Sequence, residues 1–319
     1  MLNTAQDIEA SLRSVNDDIA SALGDIAPEV FDFKKFPFSA IGKAARARFT
    51  LLASGALGAG RVRAEKAAAA AELTHTASLL HDDCLDTARY RRGLPTLYDQ
   101  LGANSAILVG DLLIAIAFDR AGCAAPELQA ELVYTVRRMT EGALIEENSR
   151  GKKISASEAE RMISLKTGAL FRWCALAACH VAGRPGLAET CARIGSETGS
   201  AFQVIDDVLD FEGDSGACGK ETLKDIKEGK LTLPLILALN DGEAGPAAEE
   251  MLAAMKSGPD AGTGAALARL VIEGGFAGAA RAAAVKRLNA LSPLVDTLPN
   301  AEGAAALKDF LLALGGRKA

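Results

Sequence analysis

Residues 64–86 read AEKAAAAAELTHTASLLHDDCLD, a stretch that contains no Gly or Pro and ends on three aspartates. Alanine and leucine are strong helix formers, and they dominate it. The stretch therefore predicts one long helix with Asp82, Asp83 and Asp86 at its C-terminal end.

The rest of the chain has a similar composition. Hydrophobic residues make up 49% of the 319 residues and aromatic residues only 5%, which suits close-packed helices better than strands rich in Val, Ile and Tyr. We see no linker and no repeat of fixed period, so we expect an all-α protein, a single large helical bundle in one domain over residues 1–319. Further helices are predicted over residues 5–23, 41–57, 106–121, 126–147, 157–181 and 187–211, then helical segments with Gly/Pro breaks at 245–246, 258–259 and 274–275.

Charge and cysteine usage limit the partners and the compartment. The net charge of −6 and the pI near 5.3 argue against a nucleic-acid partner, which needs clustered Lys and Arg. The six cysteines contain no Cys-x-x-Cys pair, so neither a zinc site nor a disulfide framework is indicated. The N-terminal segment is acidic, unlike a signal peptide. The apolar stretch 106–118 is interrupted by Asp111 and is shorter than the roughly 20 residues of a membrane span. We expect a soluble, cytoplasmic protein without a transmembrane segment.

Two aspartate clusters share one spacing. HDDCLD carries Asp82, Asp83 and Asp86, and IDDVLD repeats the pattern at Asp206, Asp207 and Asp210. Residues three and four apart lie on one face of a helix, so like charges gather there unless a cation compensates. Oxygen ligands favour Mg²⁺ or Mn²⁺ over softer metals.

A solvated acidic face would explain one such cluster. Two copies, each ending an apolar helix, favour a function, because the negative end of the helix dipole disfavours carboxylates. Two facing clusters with bridging Mg²⁺ could hold a diphosphate and ionise its C–O bond.

Basic residues accompany both clusters. Taken singly, each is explained as well by a surface cation or a carboxylate's partner, but together they fit a metal–diphosphate site, since Arg offers a planar fork and Lys a point charge. One set lies near the clusters and comprises Arg91, Arg92, Lys166 (followed by Thr167), Lys220 and Lys230. A second set, suited to a phosphate group without metal, comprises Lys43, Arg46 and His75.

From about residue 41 to residue 239 the chain resembles the trans-isoprenyl diphosphate synthases, or polyprenyl synthetases. The resemblance is carried by LLHDDCLDTARYRRGLPT at 79–96 and FQVIDDVLDFEGD at 202–214, supported by GDLLIAIAF, SLKTGAL and KDIKEGKLTLPLI. It implies the isoprenoid synthase fold, with the active site in a central cavity between helices. It also implies head-to-tail condensation, in which an allylic diphosphate such as farnesyl or geranylgeranyl diphosphate ionises and isopentenyl diphosphate attacks the cation.

The resemblance also assigns roles to residues. Three Mg²⁺, for which Mn²⁺ could substitute, would be held by Asp82, Asp86 and Asp206, with Asp210 as a further candidate ligand and Asp83 and Asp207 in support. Thr167 and Gln203 would stand near the cation and the product diphosphate. The allylic diphosphate would be bound by Arg91, Lys166, Lys220 and Lys230, and isopentenyl diphosphate by Lys43, Arg46, His75 and Arg92.

One family motif is altered. The usual GGKRLRP is here IGKAARA at residues 41–47, which keeps the matching Lys and Arg but loses one Gly, one Arg and the Pro. The role of Arg46 could therefore fall to Arg48, which lies on a different helical face. For His75, a buried histidine with a structural hydrogen bond is the competing interpretation.

Small residues below the first cluster predict a long product. Ala77 lies five residues before Asp82, roughly 7 Å along the helix, where a large aromatic would form the floor of a tunnel. Ala77 and Ser78 leave that tunnel open, and Phe118 is a candidate deeper floor. We expect a product of C30 to C40, with a shorter farnesyl- or geranylgeranyl-length product as the alternative.

Two other functions stay open. A class I terpene cyclase also ionises diphosphates, but its second metal motif resembles NSE/DTE rather than IDDVLD. A non-catalytic subunit of a two-component synthase would degrade a cluster or the Arg pair, and both are intact here. The resemblance favours a catalytic homodimer that contacts a membrane only peripherally, for product release.

Overall fold

The computed structural model describes residues 2, 4–36, 44–212, 230–257 and 261–317. The predicted all-α fold is confirmed, since the strands in these ranges are the two short ones of a single hairpin, β1 and β2. The helices are α1 (Ala5–Gly24), α2 (Ala45–Ala56), α3 (Arg61–Leu85), α4 (Leu97–Ala124), α5 (Pro126–Ser149), α6 (Ala156–Ile163), α7 (Ala169–Val181), α8 (Ala188–Glu212), α9 (Leu233–Asn240), α10 (Gly245–Ser257), α11 (Ala261–Glu273), α12 (Phe276–Asn289), α13 (Ser292–Val295) and α14 (Ala301–Gly315). A π-helix (Ser164–Gly168) joins α6 to α7, and a 3₁₀ turn (Pro185–Leu187) precedes α8; the hairpin pairs Tyr90–Arg91 with Leu94–Pro95.

The chain divides into two compact units, each built from three segments. Unit 1 comprises Met1–Val136, Leu170–Gly195 and Leu294–Lys308, and unit 2 comprises Arg137–Ala169, Ser196–Pro293 and Asp309–Ala319. The single domain over residues 1–319 stays a prediction.

Unit 1 is organised around α3. This helix packs along α4 and also contacts α1 and α2. Its alanines at 67–71 are fully buried, and side chains this small let neighbouring helices approach closely. The largest fully buried side chains include Trp173, Phe49 and Phe171. The first aspartate cluster thus ends a helix that is fixed along its length.

In unit 2, α9 packs against α6, α10, α11 and α12. One detail corrects the sequence reading and a second agrees with it. Gly245 and Pro246 open α10 rather than break a helix, because proline is favoured in the first turn. Gly274 and Gly275 do separate α11 from α12, and Gly275 has φ +79°. The predicted break at 258–259 lies outside the described residues.

Two helical stretches, Leu97–Ala124 and Ala156–Val181, are long and apolar enough to cross a membrane by length and composition. Length and composition alone do not identify a membrane-spanning helix, because the buried core helix of a soluble protein has the same properties. In the second stretch 78% of the apolar window is buried, as in a core helix, and in the first only 28%.

Candidate functional site

The first aspartate cluster closes α3. Asp83 is 3% exposed, and its carboxylate accepts a hydrogen bond of 2.8 Å from Nε of Arg91 in the hairpin. Asp82 and Asp86, on either side of it, are partly exposed. Asp83 therefore holds Arg91 in place, and part of the surface of Asp82 and Asp86 is open to solvent.

The hairpin that carries Arg91 is fixed back onto α3. The backbone N–H of Ala88 donates to the carbonyl of Asp83 at 2.9 Å. The hydroxyl of Thr96 donates to the carbonyl of Ala88 at 2.6 Å. Arg92 has φ +53° and Gly93 has φ +78°, which closes the tight turn between the strands. The two arginines are thus placed next to the cluster by local structure.

The second cluster, in unit 2, has the same division between buried and exposed carboxylates. Asp207 is 5% exposed and accepts hydrogen bonds from Nε2 of Gln203 at 2.8 Å and from the N–H of Leu233 at 3.4 Å. Asp206 and Asp210 are partly exposed. Gln203 in turn accepts a hydrogen bond of 2.8 Å from the hydroxyl of Thr167. A continuous series of hydrogen bonds therefore connects Thr167, Gln203 and Asp207.

Lys166 and Thr167 lie in the π-helix, which sequence periodicity did not reveal. Such one-turn insertions occur frequently at functional sites. The ammonium of Lys166 donates to the carboxylate of Glu146 on α5. Glu146 was not among the predicted site residues, because a glutamate on the polar side of a helix carries no signal of its own.

Gly142 of α5 lies directly against this π-helix. A Cβ at position 142 would come within 2.5 Å of the backbone N of Lys166 and 2.9 Å of its Cα. We expect Gly142→Ala to lower the free energy of unfolding by about 1–3 kcal/mol, the usual cost of overpacking. Urea denaturation measures this.

Gly122→Ala is the matched control, since its Cβ would meet only the side-chain amide of Gln129, with Oε1 at 3.7 Å and Cδ at 3.9 Å. We expect it to leave the stability unchanged or raise it by up to about 1 kcal/mol, because alanine is the better helix former. Equal stability of the two variants would contradict the close packing at the π-helix.

Asp206 has a partner that the sequence reading missed. Nη1 of Arg317 lies 2.7 Å from Oδ1 of Asp206, and its guanidinium stands 5.1 Å from the ring centroid of Phe202. The carbonyl of Arg317 accepts a hydrogen bond from Arg281, which is itself paired with Glu212. The guanidinium of Arg317 thus lies against the carboxylate of Asp206, which we expect to bind metal. No local sequence motif indicates this pairing.

The donor set fits Mg²⁺. Among the described residues no three His, Cys, Asp or Glu side chains form a ready-made metal site. Mg²⁺ does not require one, because it uses one or two carboxylates together with water and phosphate oxygens. The paired partly exposed carboxylates, Asp82 with Asp86 and Asp206 with Asp210, match that requirement.

Unit 1 also brings together most of the second cationic set. The guanidinium of Arg46 lies 5.4 Å from the ring centroid of Phe171. Burial lowers the pKa of His75 well below its usual value, and the charges of Arg46, Arg92 and Arg91 act in the same direction. His75 is therefore neutral at pH 7. Sequence analysis also missed Glu72 at this place. Its carboxylate accepts hydrogen bonds from the backbone N–H groups of Arg46 and Ala47 at 3.1 and 2.8 Å.

The structure distinguishes the two candidate arginines of α2. Arg48 pairs with Glu9 of α1 at 2.7 Å, whereas Arg46 faces Glu72 and His75. This placement favours Arg46 as the phosphate ligand. Lys43 and Lys220 lie outside the described residues, and Lys230 is partly buried at the start of its segment.

The candidate chain-length residues lie in unit 1. Ala77 is fully buried on α3, and the hydroxyl of Ser78 donates to the carbonyl of His75 at 2.7 Å. Phe118 is partly buried on α4, the helix that packs along α3. Their role in product length stays a prediction.

Comparison with known proteins gives consistent results. A model of the polyprenyl synthetase family matches residues 32–265. An all-trans-nonaprenyl-diphosphate synthase (geranyl-diphosphate specific) of Rhodobacter capsulatus is 35% identical, over 74% of this chain and 73% of that protein. A geranylgeranyl diphosphate synthase of Sulfolobus acidocaldarius is 34% identical, over 72% of each chain. The crystal structure of a polyprenyl synthase from Caulobacter crescentus, complexed with calcium and isoprenyl diphosphate, is similar with a TM-score of 0.87, 28% identity and coverage of 98% of this chain and 96% of that one.

Proposed function

The chain belongs to the polyprenyl synthetase family and is a trans-prenyl diphosphate synthase, and we propose that it requires Mg²⁺ and makes a product of C30 to C40. The substrates would be isopentenyl diphosphate and an allylic diphosphate such as farnesyl or geranylgeranyl diphosphate. The observation that carries the proposal is the repeated arrangement in which one aspartate of each cluster, Asp83 or Asp207, is buried and held by protein groups, while its neighbours are partly exposed.

The repeated arrangement suits ionisation of a diphosphate ester. Bound Mg²⁺ supplies neutralisation of the leaving group. In unit 1 Asp82 and Asp86 would hold such ions, and in unit 2 Asp206 and Asp210 would do so. Arg91, oriented by Asp83, and Lys166, in the π-helix, would each bind diphosphate oxygens and stabilise the charge that develops on them.

The reaction balances without an oxidant or reductant. The C1–O bond of the allylic substrate breaks, and its electron pair leaves with the diphosphate. The double bond of isopentenyl diphosphate then supplies the electrons of the new carbon–carbon bond. The resulting cation loses a proton to the released diphosphate. Thr167 and Gln203, which share a hydrogen bond, would stand beside the cation and orient the diphosphate.

Metal removal tests the cation requirement. We expect the EDTA-stripped protein to be inactive and Mg²⁺ to restore condensation, with Mn²⁺ as a substitute, because both are bound by hard oxygen ligands. Calcium and an isoprenyl diphosphate in the Caulobacter relative support a divalent ion at such a site. Full activity in EDTA would contradict the proposal.

The buried alanine at position 77 supports the longer product. The relatives range from geranylgeranyl to nonaprenyl diphosphate synthases, so the family alone does not fix the length. Chromatography of the dephosphorylated products measures it directly. Products no longer than geranylgeraniol, at saturating isopentenyl diphosphate, would contradict C30 to C40.

We propose a homodimer formed through α4. Its apolar window has a mean hydropathy of 1.9, yet only 28% of it is buried, and Ile107 and Leu108 are 42% and 67% exposed. An exposed apolar face of this kind marks an interaction surface. A second copy is favoured as its occupant because closed twofold symmetry is the commonest oligomeric arrangement.

Light scattering after size-exclusion chromatography tests the dimer. We expect twice the chain mass for the wild type and a shift toward one chain mass for Leu108→Glu, which places a charge in the interface. Leu312→Glu, at a leucine that is 61% exposed on α14, is the matched control and should stay dimeric. A monomeric wild type would contradict the assignment.

A further inference from the structure

The buried carboxylate of Glu72, on α3, has no role in the proposed reaction. Its side chain belongs to a residue that is only 2% exposed, in a run of buried alanines. A carboxylate is rarely buried this deeply unless it is paired. The partners of Glu72 therefore indicate what it does.

Oε1 of Glu72 accepts hydrogen bonds from the backbone N–H groups of Arg46 at 3.1 Å and Ala47 at 2.8 Å. These amides belong to the first turn of α2, where N–H groups have no partner within the helix. The N-cap residue, Ala44, has φ +50° and makes no side-chain capping bond. Glu72 thus caps α2 from a different helix.

Two arginines lie close enough to Glu72 to act on its charge. Arg46 and Arg92 both act electrostatically on its carboxyl group, Cys174 lies close by, and the neutral His75 follows one turn later on α3. Burial raises the pKa of Glu72, against the lowering effects of the two N–H groups and the two arginines. The same carboxyl group therefore interacts with two of the residues expected to bind isopentenyl diphosphate, Arg46 and Arg92.

Arg46 is fixed at both ends. Its backbone N–H is held by Glu72, and its guanidinium stands over Phe171, which packs against Phe49 with ring centroids 5.4 Å apart. Long side chains lose entropy when a ligand orders them, so a cation placed in advance binds more tightly.

We propose that Glu72 is a positioning residue for the binding of isopentenyl diphosphate. Glu72 anchors the first turn of α2 and so directs Arg46 to the diphosphate group of that substrate, which would be bound without metal. The inference rests on the proposed function, because it takes that substrate as given. It adds a residue that touches no substrate but determines the affinity for one of the two.

Steady-state kinetics on Glu72 variants test this role. For Glu72→Ala we expect KM for isopentenyl diphosphate to rise about tenfold, with KM for the allylic diphosphate changed less than about twofold. Glu72→Gln should rescue most of the loss, because its amide oxygen still accepts both N–H groups. Glu9→Ala is the matched control, since it removes a glutamate that contacts the same helix through the partly exposed Arg48, and it should change neither KM.

A purely structural cap would raise both KM values alike or lower kcat alone, and either result would overturn the proposal. If Glu72→Ala does not fold, Glu72→Asp serves in its place. The shorter side chain withdraws the acceptor, and KM for isopentenyl diphosphate should again rise selectively. A wild-type chain without any condensation would refute the proposed function, whereas an active wild type with unchanged KM values in every folded variant would refute only the role of Glu72.

Discussion

Asp82→Asn should lower kcat by about a thousandfold while the fold is kept, since removing one preorganised group that stabilises transition-state charge has an effect of this size. Asp82 is partly exposed in the last turn of α3, where we propose that it holds Mg²⁺. A neutral amide is a poor ligand for a hard cation. The negative end of the helix dipole disfavours a carboxylate at this position, so the variant should be at least as stable as the wild type.

Asp17→Asn provides the control, because Asp17 is an exposed aspartate on α1. Its kcat should equal that of the wild type. Single-turnover rates and thermal melts of both variants separate loss of chemistry from loss of fold. A kcat for Asp82→Asn within about tenfold of the wild type would remove Asp82 from the metal site.

We expect Ala77→Phe to shorten the product, from the proposed length of C30–C40 down to farnesyl or geranylgeranyl length. Ala77 is fully buried five residues before Asp82, about 7 Å along α3. A growing chain that descends from the diphosphate would meet the new ring there and stop. Chromatography of dephosphorylated products, with the allylic primer held constant, measures the change.

Ala68→Phe tests whether the shorter product results from the position of the substitution or only from the added side-chain volume. Ala68 is also fully buried on α3, and nine residues are two and a half turns, so it lies on the opposite face. It should leave the product length unchanged. Overpacking destabilises both variants by about 1–3 kcal/mol, so melting temperatures are compared, and leucine replaces phenylalanine if either unfolds. Unchanged product length in a folded Ala77→Phe variant would refute the tunnel assignment.

The helical fold could be predicted because its signals are local. Runs of Ala and Leu without Gly or Pro gave the long helices, and both aspartate clusters do end their helices, at Leu85 and Glu212. The π-helix at Ser164–Gly168 could not be predicted in this way, since one inserted residue barely disturbs a helical pattern. The same holds for the hairpin, whose two strands are only two residues each.

The candidate site residues were identified by residue type, and the sequence could not give the orientation of their side chains. The two adjacent aspartates of each cluster look equivalent in sequence, yet Asp83 and Asp207 are buried whereas Asp82 and Asp206 are partly exposed. Arg46 and Arg48 differ only in which tertiary partner each one meets. Glu72, Glu146 and Arg317 were missed because each acts on a residue far away in the chain, and sequence periodicity carries no such information. A glutamate within an alanine run was the one local signal available for Glu72.

Condensation by the purified chain alone tests the central claim most directly. The chain is incubated with Mg²⁺, labelled isopentenyl diphosphate and an allylic diphosphate, and the products are separated by chain length after dephosphorylation. We expect label in a linear trans-polyprenyl diphosphate longer than the primer by whole isoprene units. No incorporation, which points to a non-catalytic subunit, or a cyclised hydrocarbon, which points to a terpene cyclase, would contradict it.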